Sequence, residues 1–285
     1  LVLAVAVALA LRAPALAALG DTLVGTARRA SVEPAAAPRP ERPAERRAER
    51  RVRAATRHPG GSPAPFSVDA GTAERLRAVG VPGGRDPITA GFYVNWDENS
   101  RRALARHRDR LDWVVAEWVF LEPGGDSLRV AVDDSVFAVL AEGAPARRPR
   151  VLAMVTNVDV ASRHFDAVRV GRLVHDPARR ARAVARLAEL VRRHELAGVT
   201  LDFEAYPASL DAGVATFVAE LRAALRPLGA IVTATAGADL GPERAGELAR
   251  AVDYLFLMLY DEHWSTSAAG PVASQGWYAR SAAEY

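Results

Sequence analysis

From residue 88 onward, short apolar, β-branched or aromatic runs alternate with stretches of helical period. The runs predict strands over 88–96 (ITAGFYVNW), 113–121 (WVVAEWVFL), 150–158 (RVLAMVTNV), 198–206 (GVTLDFEAY), 230–236 (AIVTATA) and 253–260 (DYLFLMLY), with a minor strand over 128–132. Between them the period lengthens. Ser100 opens a short helix toward Leu111, and Asp134 or Ser135 opens a second. Asp176 followed by Pro177 is an N-cap with proline at the first helical position. That helix places Val184, Leu187, Leu190 and Val191 on one stripe and most of its arginines on the other. A further helix turns Phe217, Val218, Leu221 and Leu225 inward and stops before Pro227, and Pro242 starts another. This βαβα order predicts an α/β fold with a parallel sheet. Six β/α units in sequence fit a (β/α)8 TIM barrel truncated after about six units, since a whole barrel takes about 250 residues. No glycine-rich phosphate turn follows the first strand, which weighs against a dinucleotide-binding sheet.

Ahead of residue 86 the pattern is different. Residues 1–11 (LVLAVAVALAL) are unbroken apolar sequence, and the stretch continues to Gly20 past Arg12 and Pro14. Residues 1–20 are therefore expected to be a signal peptide or a signal-anchor helix, cleaved or retained. Residues 21–85, with prolines at Pro34, Pro38, Pro40, Pro43, Pro59, Pro63 and Pro65, read as an Ala/Pro/Arg-rich disordered linker. Residues 86–285 remain as the barrel. Arginines just after the apolar stretch would favour a cytoplasmic side for the rest of the chain. The candidate chemistry of the barrel favours an extracytoplasmic location, secreted or membrane-anchored.

Composition adds exclusions. The net charge of +3 comes with no lysine and no cysteine, so disulfides and thiolate metal sites are excluded. The arginine excess lies largely between Arg28 and Arg57, where no aromatic residue is interleaved, so no nucleic-acid partner is expected. No histidine cluster suggests a metal site.

The chemistry concentrates at the fourth strand, Ala197-Gly198-Val199-Thr200-Leu201-Asp202-Phe203-Glu204. Alternate residues of a strand share a face, so Asp202 and Glu204 point the same way, into the mouth where barrel enzymes hold their reacting groups. Two neighbouring carboxylates repel when ionised, which raises one pKa as a proton donor to a glycosidic oxygen requires. A pair of solvated acids at a strand end is the competing reading.

This stretch resembles the fourth-strand DGxDxDxE motif of glycoside hydrolase family 18 at Gly198, Asp202 and Glu204. Met258-Leu259-Tyr260-Asp261 resembles the sixth-strand MxYD motif, and Gly91-Phe92-Tyr93-Val94-Asn95-Trp96 the first-strand G[FY]YxNW pattern. The loop from Tyr260 through Trp264, with Gly270 to Ser274, is similar to a bacterial branch. That branch includes envelope and spore hydrolases, and barrels preceding polysaccharide deacetylase and family 2 glycosyltransferase domains. Further domains beyond residue 285 are expected on that ground.

The resemblance implies substrate-assisted retaining hydrolysis of β-linked N-acetylglucosamine polysaccharide, without cofactor or metal. It implies that Glu204 protonates the leaving oxygen and later activates water, and that Asp202 orients the acetamido group. Tyr260 would bond the acetamido carbonyl, Asp261 and Met258 would bind the sugar, and Tyr93 would line the subsite floor. Asn157 stands where the third-strand motif is replaced by Met154-Val155-Thr156-Asn157 and is expected either to face substrate or to cap the strand end. Trp96, Trp118 and Trp264 are candidates for stacking on sugar faces or for core and rim packing, Trp113 for the core, and Asp97 and Glu98 for sugar hydroxyls. The first and middle acids of the motif are Ala197 and Thr200 here. That departure leaves a non-hydrolytic glycan-binding module, or a structural spacer, as alternatives to an enzyme.

Overall fold

A computed structural model describes residues 88–285 other than residues 126, 144, 146, 147, 265 and 266. The expected membrane segment (1–20) and linker (21–85) lie outside the described residues, among which no helix is long and apolar enough to cross a membrane.

The chain runs β1 (Ala90–Tyr93), α1 (Glu98–His107), β2 (Trp113–Leu121), β3 (Leu128–Val130), α2 (Asp134–Ala141) and β4 (Arg150–Thr156). It continues with β5 (Val158–Asp159), β6 (His164–Phe165), α3 (Ala167–His175), α4 (Pro177–His194), β7 (Gly198–Asp202) and α5 (Asp211–Leu225). It closes with β8 (Ile231–Gly237), α6 (Pro242–Ala251), β9 (Tyr254–Met258) and α7 (Gln275–Glu284). The main sheet has the order β1-β2-β4-β7-β8-β9, every neighbouring pair parallel, with β3 antiparallel on β2.

The sheet curls. Phe92 on β1 and Phe256 on β9 meet edge to face with ring centroids 5.4 Å apart. In a flat sheet those strands would be five steps apart, roughly 24 Å at about 4.8 Å per step. Trp113 on β2 and Tyr254 on β9 make the same kind of contact at 5.0 Å. The parallel sheet is thus bent into part of a barrel, as the strand pattern predicted.

Alternation sorts the two faces. Val114 and Ala116 on β2, Val151, Ala153 and Val155 on β4, and Val199 and Leu201 on β7 pack outward in one core with the helices. The helices contribute the stripes expected of them: Leu187, Leu190 and Val191 on α4, and Phe217, Val218, Leu221 and Leu225 on α5, all buried. The concave face carries a second cluster of Ala90, Trp113, Val115, Leu152, Met154, Ala197 and Phe256, which fills the lower part of the half-barrel. Above that apolar floor the inward positions become polar.

Gly198 is set by packing at the base of β7. A Cβ there would sit 2.0 Å from the main-chain oxygen of Ile231, so only glycine lets β7 and β8 approach. Asp97, Asp133, Asp166 and Asp176 each accept main-chain N–H bonds at helix N-termini. Asp176 with Pro177 caps α4 as the sequence indicated. Asp97 caps α1 in place of Ser100, whose buried hydroxyl accepts from the Val94 N–H instead. Asp133 caps α2, one residue before the position expected. Strands β1, β4, β7 and β9 end earlier than their apolar runs because the residues beyond them leave the sheet at the mouth. Helices α3 and α7 and the short β5–β6 pair were not foreseen.

Candidate active site

The upper ends of β2, β4, β7, β8 and β9 carry the polar inward positions. Asp202, last residue of β7, is 7 % exposed and accepts at Oδ1 from the Thr235 hydroxyl of β8 at 2.7 Å. Burial pushes its carboxyl pKa up, and the Thr235 and Thr156 hydroxyls, from the strands on either side, pull it down. Thr200, one inward position below, bonds the Thr233 hydroxyl at 2.8 Å in a fully buried pair. Where the motif that this strand resembles has an acid, the chain has a neutral hydroxyl pair, and Asp202 receives its bonds from threonines.

Glu204 lies two residues further on. Its carboxyl is pushed up to about 8 from an ordinary 4.5, first by burial and then by the charges of Asp202, Asp239 and Asp261. The main chain here is clamped. The Asn157 side-chain amide donates to the Glu204 carbonyl at 2.9 Å, and the Asn157 amide oxygen accepts from the Glu204 N–H at 2.9 Å. Ala205 then turns with φ of 55°, the left-handed region that non-glycine residues rarely occupy. The solvated-pair reading of the two acids does not hold, because Asp202 is buried and Glu204 mostly so.

Tyr260 lies just past β9 on the inward parity of Phe256 and Met258. Burial raises its hydroxyl pKa, as do the charges of Glu204, Asp202 and Asp261, so it stays a protonated donor beside them. Asp261 turns at φ of 67° and is exposed at the rim. Met258 is partly buried at the end of β9 opposite Gly237 of β8. Trp96 and Trp264 are exposed, at 63 % and 55 %.

The structure corrects three expectations. Tyr93 does not floor the site: it is 3 % exposed on the outward face, packed with Leu104 and Val114, and donates to Asp133 Oδ2 at 2.5 Å. Burial and that bond raise its pKa to about 12. Phe92 holds the inward place beside it. Asn157 does not face substrate, because it is fully buried and both ends of its amide are spent on the Glu204 main chain. Trp118 cannot stack on sugar, being completely buried against Phe137 on the helix side. Asp97 caps α1, Glu98 pairs with Arg101, and His263 bonds the Pro271 carbonyl within its own loop.

Two residues of the site escaped the sequence reading. Glu117 points inward from β2 and accepts from the Trp96 indole N–H at 2.8 Å. Burial raises its pKa, and the charge of Asp202 adds to this. Asp239, past the end of β8, adds negative charge around Glu204. Its Oδ1 would lie 2.5 Å from a Cβ on Gly237, so the glycine leaves room for that carboxyl to fold back. No group of three or more potential metal ligands occurs among the described residues.

The site is thus a half-enclosed mouth with a high-pKa acid, a buried carboxyl two residues before it and a phenol donor at its side. The sequence model described as Glycosyl hydrolases family 18 matches residues 162–283. The putative sporulation-specific glycosylase YdhD of Bacillus subtilis (strain 168) is 28% identical over 193 residues, covering 65% of this chain and 44% of that protein. The chain therefore spans less than half of that relative's length. A chitinase from Chromobacterium violaceum aligns with a TM-score of 0.57 at 21% identity, covering 68% of this chain and 62% of that one. A chitinase from Cycas revoluta, solved as a double mutant with (GlcNAc)4, aligns with a TM-score of 0.51 at 19% identity over 64% and 58% of the two chains. Residues 162–283 thus match the model of glycoside hydrolase family 18, and the curled parallel sheet that carries them has the fold of solved chitinases.

Proposed function

We propose that the chain is a glycosidase that cleaves β-linked N-acetylglucosamine polysaccharide with assistance from the substrate's own acetamido group. The observation that carries this is Glu204, an acid whose pKa of about 8 keeps it protonated at neutral pH, beside Asp202 and Tyr260. The family 18 match over residues 162–283 and the (GlcNAc)4 bound by one structural neighbour support the choice of sugar.

In this mechanism the acetamido carbonyl oxygen attacks the anomeric carbon. The bond to the glycosidic oxygen breaks, and Glu204 gives its proton to that oxygen. Asp202, held at Oδ1 by Thr235, orients the acetamido nitrogen and offsets the positive charge of the cyclic oxazolinium intermediate. Tyr260 donates to the acetamido carbonyl. Water then attacks the anomeric carbon and displaces the acetamido oxygen, losing its proton to the Glu204 carboxylate, and the configuration is retained. The Asn157 clamp fixes the main chain of the acid through both steps. An extracytoplasmic location, secreted or anchored through residues 1–20, with further polysaccharide-processing domains in the same protein, belongs to the same proposal.

The test is release of a fluorophore from an N-acetylglucosamine oligomer by the full chain. Glu204→Gln abolishes it; turnover that survives this change refutes the assignment. Thr200 in place of the middle acid favours a second reading, a glycan-binding module without turnover. That reading predicts oligomer binding by the wild-type chain, no product, and unchanged affinity in Glu204→Ala.

A further inference from the structure

Glu117 stands on the inward face of β2, paired in register with Met154 of β4, which pairs with Thr200 of β7. It therefore lies one row below Thr156 and Asp202, on the wall of the same mouth. One carboxylate oxygen, Oε2, accepts from the indole N–H of Trp96, and Oε1 makes no hydrogen bond among the described residues. Trp96 is fixed by that bond at the mouth with most of its surface open. No cation bridges Glu117 among the described residues. Arg129, whose charge reaches it, is stacked 3.9 Å over the Phe120 ring and bridges Glu122 at 3.6 Å.

A carboxylate with one free oxygen beside an exposed indole is the pair of groups that holds an ammonium: one gives a charge-assisted bond, the other a cation–π face. A neutral acetamido group would leave the carboxylate uncompensated, in a mouth that already holds the carboxyls of Asp202, Asp239 and Asp261 around the protonated Glu204. We propose that Glu117 and Trp96 form a subsite for an amine-bearing sugar, so that the preferred polymer carries free glucosamine units among its N-acetylglucosamine units. This deepens the glycosidase reading and rests on it for the reaction, while the binding itself is tested without turnover.

The experiment uses the full chain carrying Glu204→Gln, titrated with a β-linked glucosamine tetramer and, separately, with the N-acetylglucosamine tetramer. Adding Glu117→Gln removes the charge while its amide oxygen can still accept from Trp96. It weakens binding of the glucosamine tetramer by about tenfold or more, the scale of one charge-assisted contact, and of the acetylated tetramer by far less. Raising the salt to about 1 M narrows the difference. Trp96→Ala, a change at an exposed side chain that leaves the fold intact, also weakens the glucosamine tetramer preferentially. Equal weakening of both tetramers, or unchanged affinity for the glucosamine tetramer in both variants, overturns the proposal. Failure of the wild-type chain to hydrolyse any oligomer refutes the glycosidase reading but leaves these affinities to decide the subsite.

Discussion

Glu204→Gln should make the protein more stable, and by an amount that depends on pH. In the folded chain the Glu204 carboxyl titrates at about 8, against an ordinary 4.5. Between those values the native state holds a proton that the unfolded chain has lost. Unfolding releases it, so stability falls as pH rises through that window. Glutamine does not titrate and keeps nearly the same shape. Below about pH 4 the acid is protonated in both states, and the two proteins should unfold alike. At pH 7 the gap is about 2.5 pKa units at about 1.4 kcal/mol each, so the variant gains about 3 kcal/mol. Above about pH 9 the gain levels off near 5 kcal/mol. Urea unfolding of both proteins at a series of pH values, with equal m-values, reads this directly. A gain that is the same at about pH 4 and about pH 8, or a loss at neutral pH, would show that the acid is not held protonated and would remove the physical basis for its role as proton donor.

The same geometry sets four further outcomes. Hydrolysis should persist at neutral pH and be lost as pH rises through about 8, because the donor must be protonated; a pH–rate profile of kcat checks this. Asn157→Ala removes both amide bonds to the Glu204 main chain, costing about 2 kcal/mol of stability and lowering kcat more than it raises KM. Gly198→Ala drives a methyl group into the Ile231 carbonyl and should cost about 3 kcal/mol or more, seen as a lower urea midpoint. Ala205→Gly relieves the left-handed turn after the acid and should add roughly 0.5 kcal/mol to the unfolding free energy in urea, once the extra freedom of glycine in the unfolded chain is set against it.

The strands were legible because each central strand is buried on both faces and so reads as an apolar run bounded by polar residues. The acids were legible because a carboxylate at the end of such a run, as at Asp202 and Glu204, has no packing reason to be there. Direction was harder. Tyr93 and Phe92 are adjacent aromatics at the end of one run, and only the three-dimensional register decides which faces inward. Asn157 comes after β4 as a polar residue should if it met substrate, and nothing local reveals that its partner is a main chain 47 residues away. Glu117 was hidden inside WVVAEWVFL, where a lone acid in an apolar strand was itself the unused signal. Helix α3 went unseen because its nine residues run directly into the cap of α4 and contain Gly171, so no loop composition separates the two.

The grip of Asn157 on position 204 has a practical corollary. It holds the main-chain N–H and carbonyl on either side of that Cα and has no bond to the carboxylate, so the side chain there can be swapped without the strand end coming loose. Gln, Asp or Ala at this place should leave the cleft in its working shape. Such silenced proteins are suited to trapping an uncut oligosaccharide in crystals, where the sugars bound along the wall would be seen directly.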